Sequence, residues 1–210
     1  MVYLRKRYPV QSVFKFGELI GIPNGTTAIS FTVTAGTIAP GDTIFLNIRA
    51  AGNSCTNTGG FDTIANITGL FSGVRYATLT DTGTYNLTWS GTGTTNGTIE
   101  VLVSGRTLGY TQPYSQSVDG GFVHTLPSIS MQKNSAVLIC YTSAGGNGNV
   151  TDVTYAPGTF IVGVDGGFTY RTIYKPLQVA TTEGFTLTWT GGIAAPARTR
   201  MSRIELLGLT

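Results

Sequence analysis

The chain has 210 residues and a formal charge of +3, and only 11% of it is charged, against roughly 25% in an ordinary globular domain. Glycine fills 29 positions and threonine 35, a composition that excludes a coiled coil and a charge-rich disordered tail. No run approaches the roughly 20 uninterrupted apolar residues of a membrane helix, so no membrane partner is expected.

From the N-terminus, the basic triplet Arg5, Lys6 and Arg7 is followed by apolar residues that Lys15 and Glu18 interrupt, so the pattern is not that of a signal peptide. Residues 1–22 repeat nothing else in the chain and are expected to form an arm. The arm joins cations to Tyr3, Tyr8, Phe14 and Phe16, residue types enriched at protein interfaces. Beyond it, short runs rich in β-branched and aromatic residues predict strands over 28–34, 43–49, 61–67, 74–79, 85–90 and 98–103. A second series is predicted over 121–126, 136–142, 159–164, 170–175, 185–190 and 203–207. Turn signals such as Pro40-Gly41-Asp42, Asp119-Gly120-Gly121 and Pro157-Gly158 separate them at short spacing. Many short strands with frequent turns describe a sandwich or barrel.

The two series are related. Residues 75–91 align without gaps at an offset of 100 with residues 175–191, pairing Arg75 with Lys175, Tyr85 with Phe185, Leu87 with Leu187, Trp89 with Trp189 and Gly91 with Gly191. Phe31 and Phe122, each seven residues before an isoleucine, are read as a further matched pair, as are Glu100 and Glu205 in the closing strands. A period near 100 marks a duplicated domain rather than a solenoid. The expected fold class is all-β: two tandem antiparallel sandwich modules, jelly-roll-like or immunoglobulin-like, at 23–108 and 109–210, after an N-terminal arm at 1–22. Phe31, Leu87, Trp89, Phe122, Leu187 and Trp189 are the expected structural core, because Leu87 and Trp89 alternate with polar residues on one strand face. Tyr110 and Tyr114 lie in the connecting segment and join the arm as expected partner contacts.

Chemistry is sparse. His124 is the one histidine and sits in a strand context as a polar-face residue or local hydrogen-bond donor; no Gly-X-Ser-X-Gly elbow accompanies it. With two cysteines far apart, Cys55 and Cys140, a histidine–cysteine metal site lacks ligands, and both are read as free thiols. The acids Asp42, Asp62, Asp119, Asp152 and Asp165 are dispersed rather than clustered as for Ca²⁺. Glycines sit in hairpin turns with no helix behind them to cradle a phosphate. Neither cofactor nor metal nor catalytic site is expected. The arginines at 198, 200 and 203 form too short a basic run, without interleaved aromatics, for a nucleic-acid stripe.

Within each module the order is a Phe-centred strand, a turn and an apolar strand, a turn-led strand, a strand with a basic residue, then an aromatic-X-Leu-Thr-Trp-Ser/Thr-Gly strand and an apolar closing strand. On Phe31, Pro40, Gly41, Asp42, Phe61, Leu87, Trp89 and Gly91, with Phe122, Leu187, Trp189 and Gly191 in the second copy, this order resembles a β-sandwich module. That module recurs in structural proteins of tailed bacteriophages, among them capsid decoration and tail or fibre-associated proteins. In the second copy Gln132-Lys133-Asn134 replaces Pro-Gly-Asp. The resemblance implies a virion structural protein, foremost a decoration or cement protein. Its implied partners are the major capsid protein or tail subunits, with self-association into a homo-oligomer. It also implies synthesis in the host cytoplasm, followed by incorporation into the particle. The alternative it carries is a tail or fibre-associated module that recognises a host-surface glycan.

Overall fold

The computed structural model describes residues 14–22, 28–32, 38–51, 55–57, 59–67, 70–78, 84–89, 95–111, 113–144, 152–165, 170–190 and 198–208. These residues form strands and short links, and no helix among them is long and apolar enough to cross a membrane. The first strands are β1 (Phe14–Ile22), β2 (Ala28–Thr32), β3 (Asp42–Ala51), β4 (Cys55–Asn57), β5 (Asp62–Ile67), β6 (Leu70–Tyr76), β7 (Thr84–Trp89) and β8 (Thr95–Arg106). They continue with β9 (Gly109–Tyr110), β10 (Tyr114–Asp119), β11 (Val123–Met131), β12 (Ser135–Ala144), β13 (Asp152–Ala156), β14 (Ile161–Asp165), β15 (Tyr170–Leu177), β16 (Thr181–Thr190) and β17 (Arg198–Leu207).

Among the described residues all pairing is antiparallel, and the strand order occurs twice. The N-terminal strands form a sheet β1-β8-β3-β6-β5 and a smaller one β2-β7-β4. The C-terminal strands form β10-β17-β12-β15-β14, with β9 added to β17, and a smaller sheet β11-β16-β13. The ladders carry the correspondence down to single residues. Asn47 pairs with Ser72 and Glu100, while Cys140 pairs with Thr172 and Ser202. With Ser72 matched to Thr172 at the 100-residue offset, Asn47 matches Cys140 and Glu100 matches Ser202. Both turns that lead into β3 and β12 obey the same match: Gly41 has φ +87° and Asn134, its counterpart, φ +56°. Asparagine is among the few residues with a side chain that visit this region readily, so Lys133-Asn134 makes the turn that Pro40-Gly41 makes.

The structure corrects four expectations. Phe31 pairs with Tyr85 and Leu126 pairs with Phe185, so the counterpart of Phe31 is Leu126, not Phe122. Phe122 lies just outside β11 at 37% exposure and is not core; the turn at Gly120 and Gly121 carries it past the end of the ladder, and only its carbonyl takes part, accepting from the Trp189 amide at 2.8 Å. Glu100 and Glu205 are not equivalent either, since Glu205 pairs with Val137 and therefore matches Val103, which pairs with Ile44. Finally, 14–22 are not part of a free arm: as β1 they pair along β8 from Phe14–Ser104 to Ile22–Gly97. Their alternation is too weak to announce a strand, with Gly17 and Gly21 interrupting it, and the neighbouring strand β8 supplies the hydrogen bonds that decide it.

Among the described residues three apolar clusters form. Ile44, Leu46, Ile48, Phe71, Ile99, Val101 and Val103 pack on one face of the first large sheet. Val137, Ile139, Tyr141, Ile173 and Met201 of the second large sheet pack against Leu126, Val153, Phe185, Leu187 and Trp189 of the small sheet β11-β16-β13. The third cluster joins the two large sheets by their other faces: Phe45, Ile64, Val74 and Leu102 meet Ala136, Leu138, Tyr174, Ile204 and Leu206. Period-2 alternation thus buries both faces of β3, β8, β12 and β17. Each fully buried Ile, Leu or Phe contributes about 1.5–3 kcal/mol of transfer free energy.

Candidate functional site

The centre of the sheet-to-sheet cluster is polar. Ser202 donates to Ser72 at 3.3 Å, and Ser72 donates to the Asn47 carbonyl oxygen at 3.3 Å. The Asn47 amide donates to Thr172 at 3.0 Å and to the Glu100 carboxylate at 3.3 Å, and Thr172 donates to the same carboxylate oxygen. Thr172 Oγ1 also lies 3.6 Å from Cys140 Sγ. All six residues are buried. Burial, and next the charge of Glu100, push the Cys140 thiol up to about 12, so it stays protonated and is no nucleophile. Such a network carries no access for a ligand; it fixes how the two large sheets sit on one another, since any other register would leave a buried carboxylate and amide unpaired.

The expected partner-binding residues scatter. Tyr3, Arg5, Lys6, Arg7 and Tyr8 lie outside the described residues, and Phe14 and Phe16 are described in backbone only, as part of β1. Tyr110 is half-buried against the cluster between the large sheets and donates to Asp62 at 2.9 Å, which raises its hydroxyl above the usual phenol range together with the larger effect of burial. Tyr114 packs on the C-terminal interior with the Arg203 guanidinium 5.3 Å from its ring centroid. Both tyrosines make contacts within the chain, because the connecting segment runs as β9 and β10 along β17. Among the expected core residues Leu187 and Trp189 are 1% and 2% exposed. Phe31, Leu87 and Trp89 occupy matching ladder positions, with Trp89 beside Cys55 as Trp189 is beside Val153, and their side chains lie outside the described residues.

The C-terminal interior holds a second group that composition did not reveal. Half-buried Arg171 donates to the Tyr155 hydroxyl at 3.2 Å, and that hydroxyl lies 3.0 Å from the hydroxyl of fully buried Tyr141. The Tyr141 ring meets Trp189 edge-on at 5.7 Å, and Trp189 meets His124 edge-on at 5.0 Å. His124 is 2% exposed, and its Nε2 donates to the Gly121 carbonyl at 3.0 Å. Burial holds the imidazole below its ordinary 6.5, so Nδ1 is a bare acceptor, without a hydrogen-bond partner among the described residues. At the opposite end of the same interior Glu205 is fully buried, its Oε1 accepting from the Gln132 amide and from Ser135, each at 2.6 Å. One sequence signal for the first group existed: carrying the 100-residue alignment four residues upstream sets Phe71 against Arg171.

No family model matches the chain, and no curated protein matches it. Among solved structures, that of HutD from Pseudomonas fluorescens SBW25 in a formate condition is similar over 91% of this chain and 79% of that chain, at 10% identity and a TM-score of 0.38. At that score neither fold nor role is transferred from it.

Proposed function

We propose that this chain is a duplicated β-sandwich module and serves as a structural subunit of a phage particle, a decoration protein that adds contact area between neighbouring subunits. The observation that carries the reading is the outward face of β11-β16-β13. There Thr125, Thr154, Thr186 and Thr188 stand side by side, Thr125 and Thr186 bridged at 3.2 Å and Ser130 and Thr182 at 3.0 Å. A face of cross-linked hydroxyls and methyls, with Asp152 beside Thr154 on β13, is stiff and suited to many modest contacts with a partner held in fixed geometry. The twofold recurrence of the strand order and the sequence resemblance support the duplication. The shared cluster between the large sheets supports a block that bears load as one piece, and the partner is the major capsid protein or a tail subunit.

Localisation on intact particles tests this. Particles that lack the protein are expected to assemble and to lose integrity at lower temperature or under osmotic shock. Particles equally robust but unable to adsorb to host cells would replace the proposal with host-surface glycan recognition.

A further inference from the structure

We propose that Asn47 and Thr172 become joined by a self-catalysed ester bond, with Glu100 as its base, so that the two large sheets are pinned covalently across their shared face. The matching positions of the other set show what is unusual here. Cys140 stands for Asn47, Ser202 for Glu100 and Ser72 for Thr172, and all six residues are at most 1% exposed. Cys140, Ser202 and Ser72 close their side of the face with small, uncharged groups. The packing of the face therefore does not require a carboxylate, and burying one costs free energy that the smaller groups avoid.

The trio holds each part that acyl transfer needs. Thr172 Oγ1 is the nucleophile, and its proton already goes to Glu100 Oε2. The Asn47 carboxamide is the acyl group, its nitrogen 3.0 Å from Thr172 Oγ1. One amide C–N bond, about 1.33 Å, separates that nitrogen from Cγ, which puts Cγ about 4 Å from the hydroxyl oxygen. The contact is a hydrogen bond in the plane of the amide. A partial turn about Cβ–Cγ presents the face of the carbon instead, at the roughly 3–3.5 Å of an attacking pair. Ser72 donates at 3.3 Å to the Asn47 carbonyl oxygen, where negative charge develops, and is itself held by Ser202 at 3.3 Å. Glu100 Oε2 lies 3.3 Å from the Asn47 nitrogen, the atom that must leave.

In the reaction Thr172 Oγ1 adds to Asn47 Cγ as Glu100 takes its proton, giving a tetrahedral carbon whose oxyanion Ser72 holds. Glu100 then gives the proton to Nδ2, the C–N bond breaks, the carbonyl re-forms and ammonia departs. The sum is hydroxyl plus carboxamide to ester plus ammonia, with the carboxylate regenerated and no outside reactant. Burial keeps water from the ester, and loss of ammonia to solvent makes the step one-way. Chain that has not reacted is held by hydrogen bonds alone, and it is to this state that the cost of losing one of them belongs. Once formed, the bond closes residues 47–172 into a loop that unfolding cannot open. The inference rests on the central face and is independent of any role on a particle.

Mass spectrometry of the full chain after days at neutral pH, unfolded in acid before injection, tests this. The expected product is lighter than the sequence by one ammonia, and its tryptic digest contains a branched peptide joining the segment with Asn47 to the segment with Thr172. Succinimides at Asn24-Gly25, Asn96-Gly97 or Asn147-Gly148 also lose ammonia, and the branched peptide separates the two. Mild alkali in heavy-oxygen water should split the branch and label residue 47. Glu100→Gln, which keeps the shape of the side chain but not the base, and Thr172→Val should each lack the branch. Should either variant fail to fold by circular dichroism, the wild-type digest decides. A wild-type chain without the branched peptide, or a branch that persists in Glu100→Gln or Thr172→Val, would overturn the proposal.

Discussion

Ser202 donates to Ser72 across the face where the two large sheets meet, and exchanging the two sets of strands turns this contact into the one between Glu100 and Thr172. Ser202 matches Glu100 and Ser72 matches Thr172, so both contacts join the closing strand of one set to the penultimate large-sheet strand of the other. The outer strands obey the same exchange, β1 lying near β14 and β10 near β5, with Ser115 donating to the Ile64 carbonyl at 3.4 Å. The central face is therefore built about an approximate twofold axis within a single chain, the geometry of a symmetric dimer interface.

This arrangement makes Thr172 more than a surface threonine. Thr172→Val removes a donor from a buried carboxylate and is expected to destabilise the protein by about 1–3 kcal/mol. Paired with Glu100→Gln in a double-mutant cycle, the two changes should couple by at least about 0.5 kcal/mol, measured by denaturant unfolding. Strict additivity would remove Thr172 from the network.

Trp189→Ala deletes a side chain packed between His124, Tyr141, Val153 and Leu187. A loss of about 3–5 kcal/mol is expected, read from the midpoint of unfolding. A loss under about 1 kcal/mol would contradict a core role.

Acid should weaken the fold through His124. Burial lowers the folded imidazole below its ordinary 6.5, so the unfolded chain takes up a proton first as pH falls. The stability this neutral imidazole contributes is complete above 6.5 and declines as pH drops below it. Melting temperature measured from about pH 7.5 to 5.5 is expected to fall further for the wild type than for His124→Leu. Equal slopes would show that the folded ring takes up its proton as readily as the unfolded one.

The Cys140 thiol, pushed up to about 12, should resist alkylation at pH 8 in the folded protein and react on unfolding. In a Cys55→Ser background, mass spectrometry after iodoacetamide treatment reads this directly. Rapid native labelling would mean that the central face opens.

The place of 14–22 in the first large sheet gives the last test. Deleting residues 2–13 spares every β1–β8 pair, while deleting 2–22 strips them all from β8 and should lower the melting temperature markedly. Equal stability of the two truncations would return 14–22 to the arm.

Local patterning alone determined the all-β character, because β-branched and aromatic runs broken by Gly, Pro and Asn admit little else. It also determined the match of β7 with β16, since Leu187 and Trp189 are buried by the same alternation that their sequence displays. The strands β1, β4, β9, β10 and β13 fell outside the expectation: two are only two or three residues long, and in the others Gly, Ser and polar residues hide the period, so neighbouring ladders rather than propensity decide them. The separation of Glu100 from Glu205 depends on the pairing of β8 and β17 with β3 and β12. The pairing of Phe31 with Leu126 and the exposure of Phe122 depend on register, which a bulge between Leu126 and Ile129 shifts; Pro127 within it is the one mark it leaves in the sequence. That bulge comes so near Gly184 that a Cβ there would lie 3.0 Å from the Leu126 carbonyl oxygen. Tertiary structure alone decided that both faces of β3, β8, β12 and β17 are buried. One face reads as core by alternation, but the burial of Asn47, Glu100, Ser72 and Thr172 follows only when the opposite sheet supplies their partners.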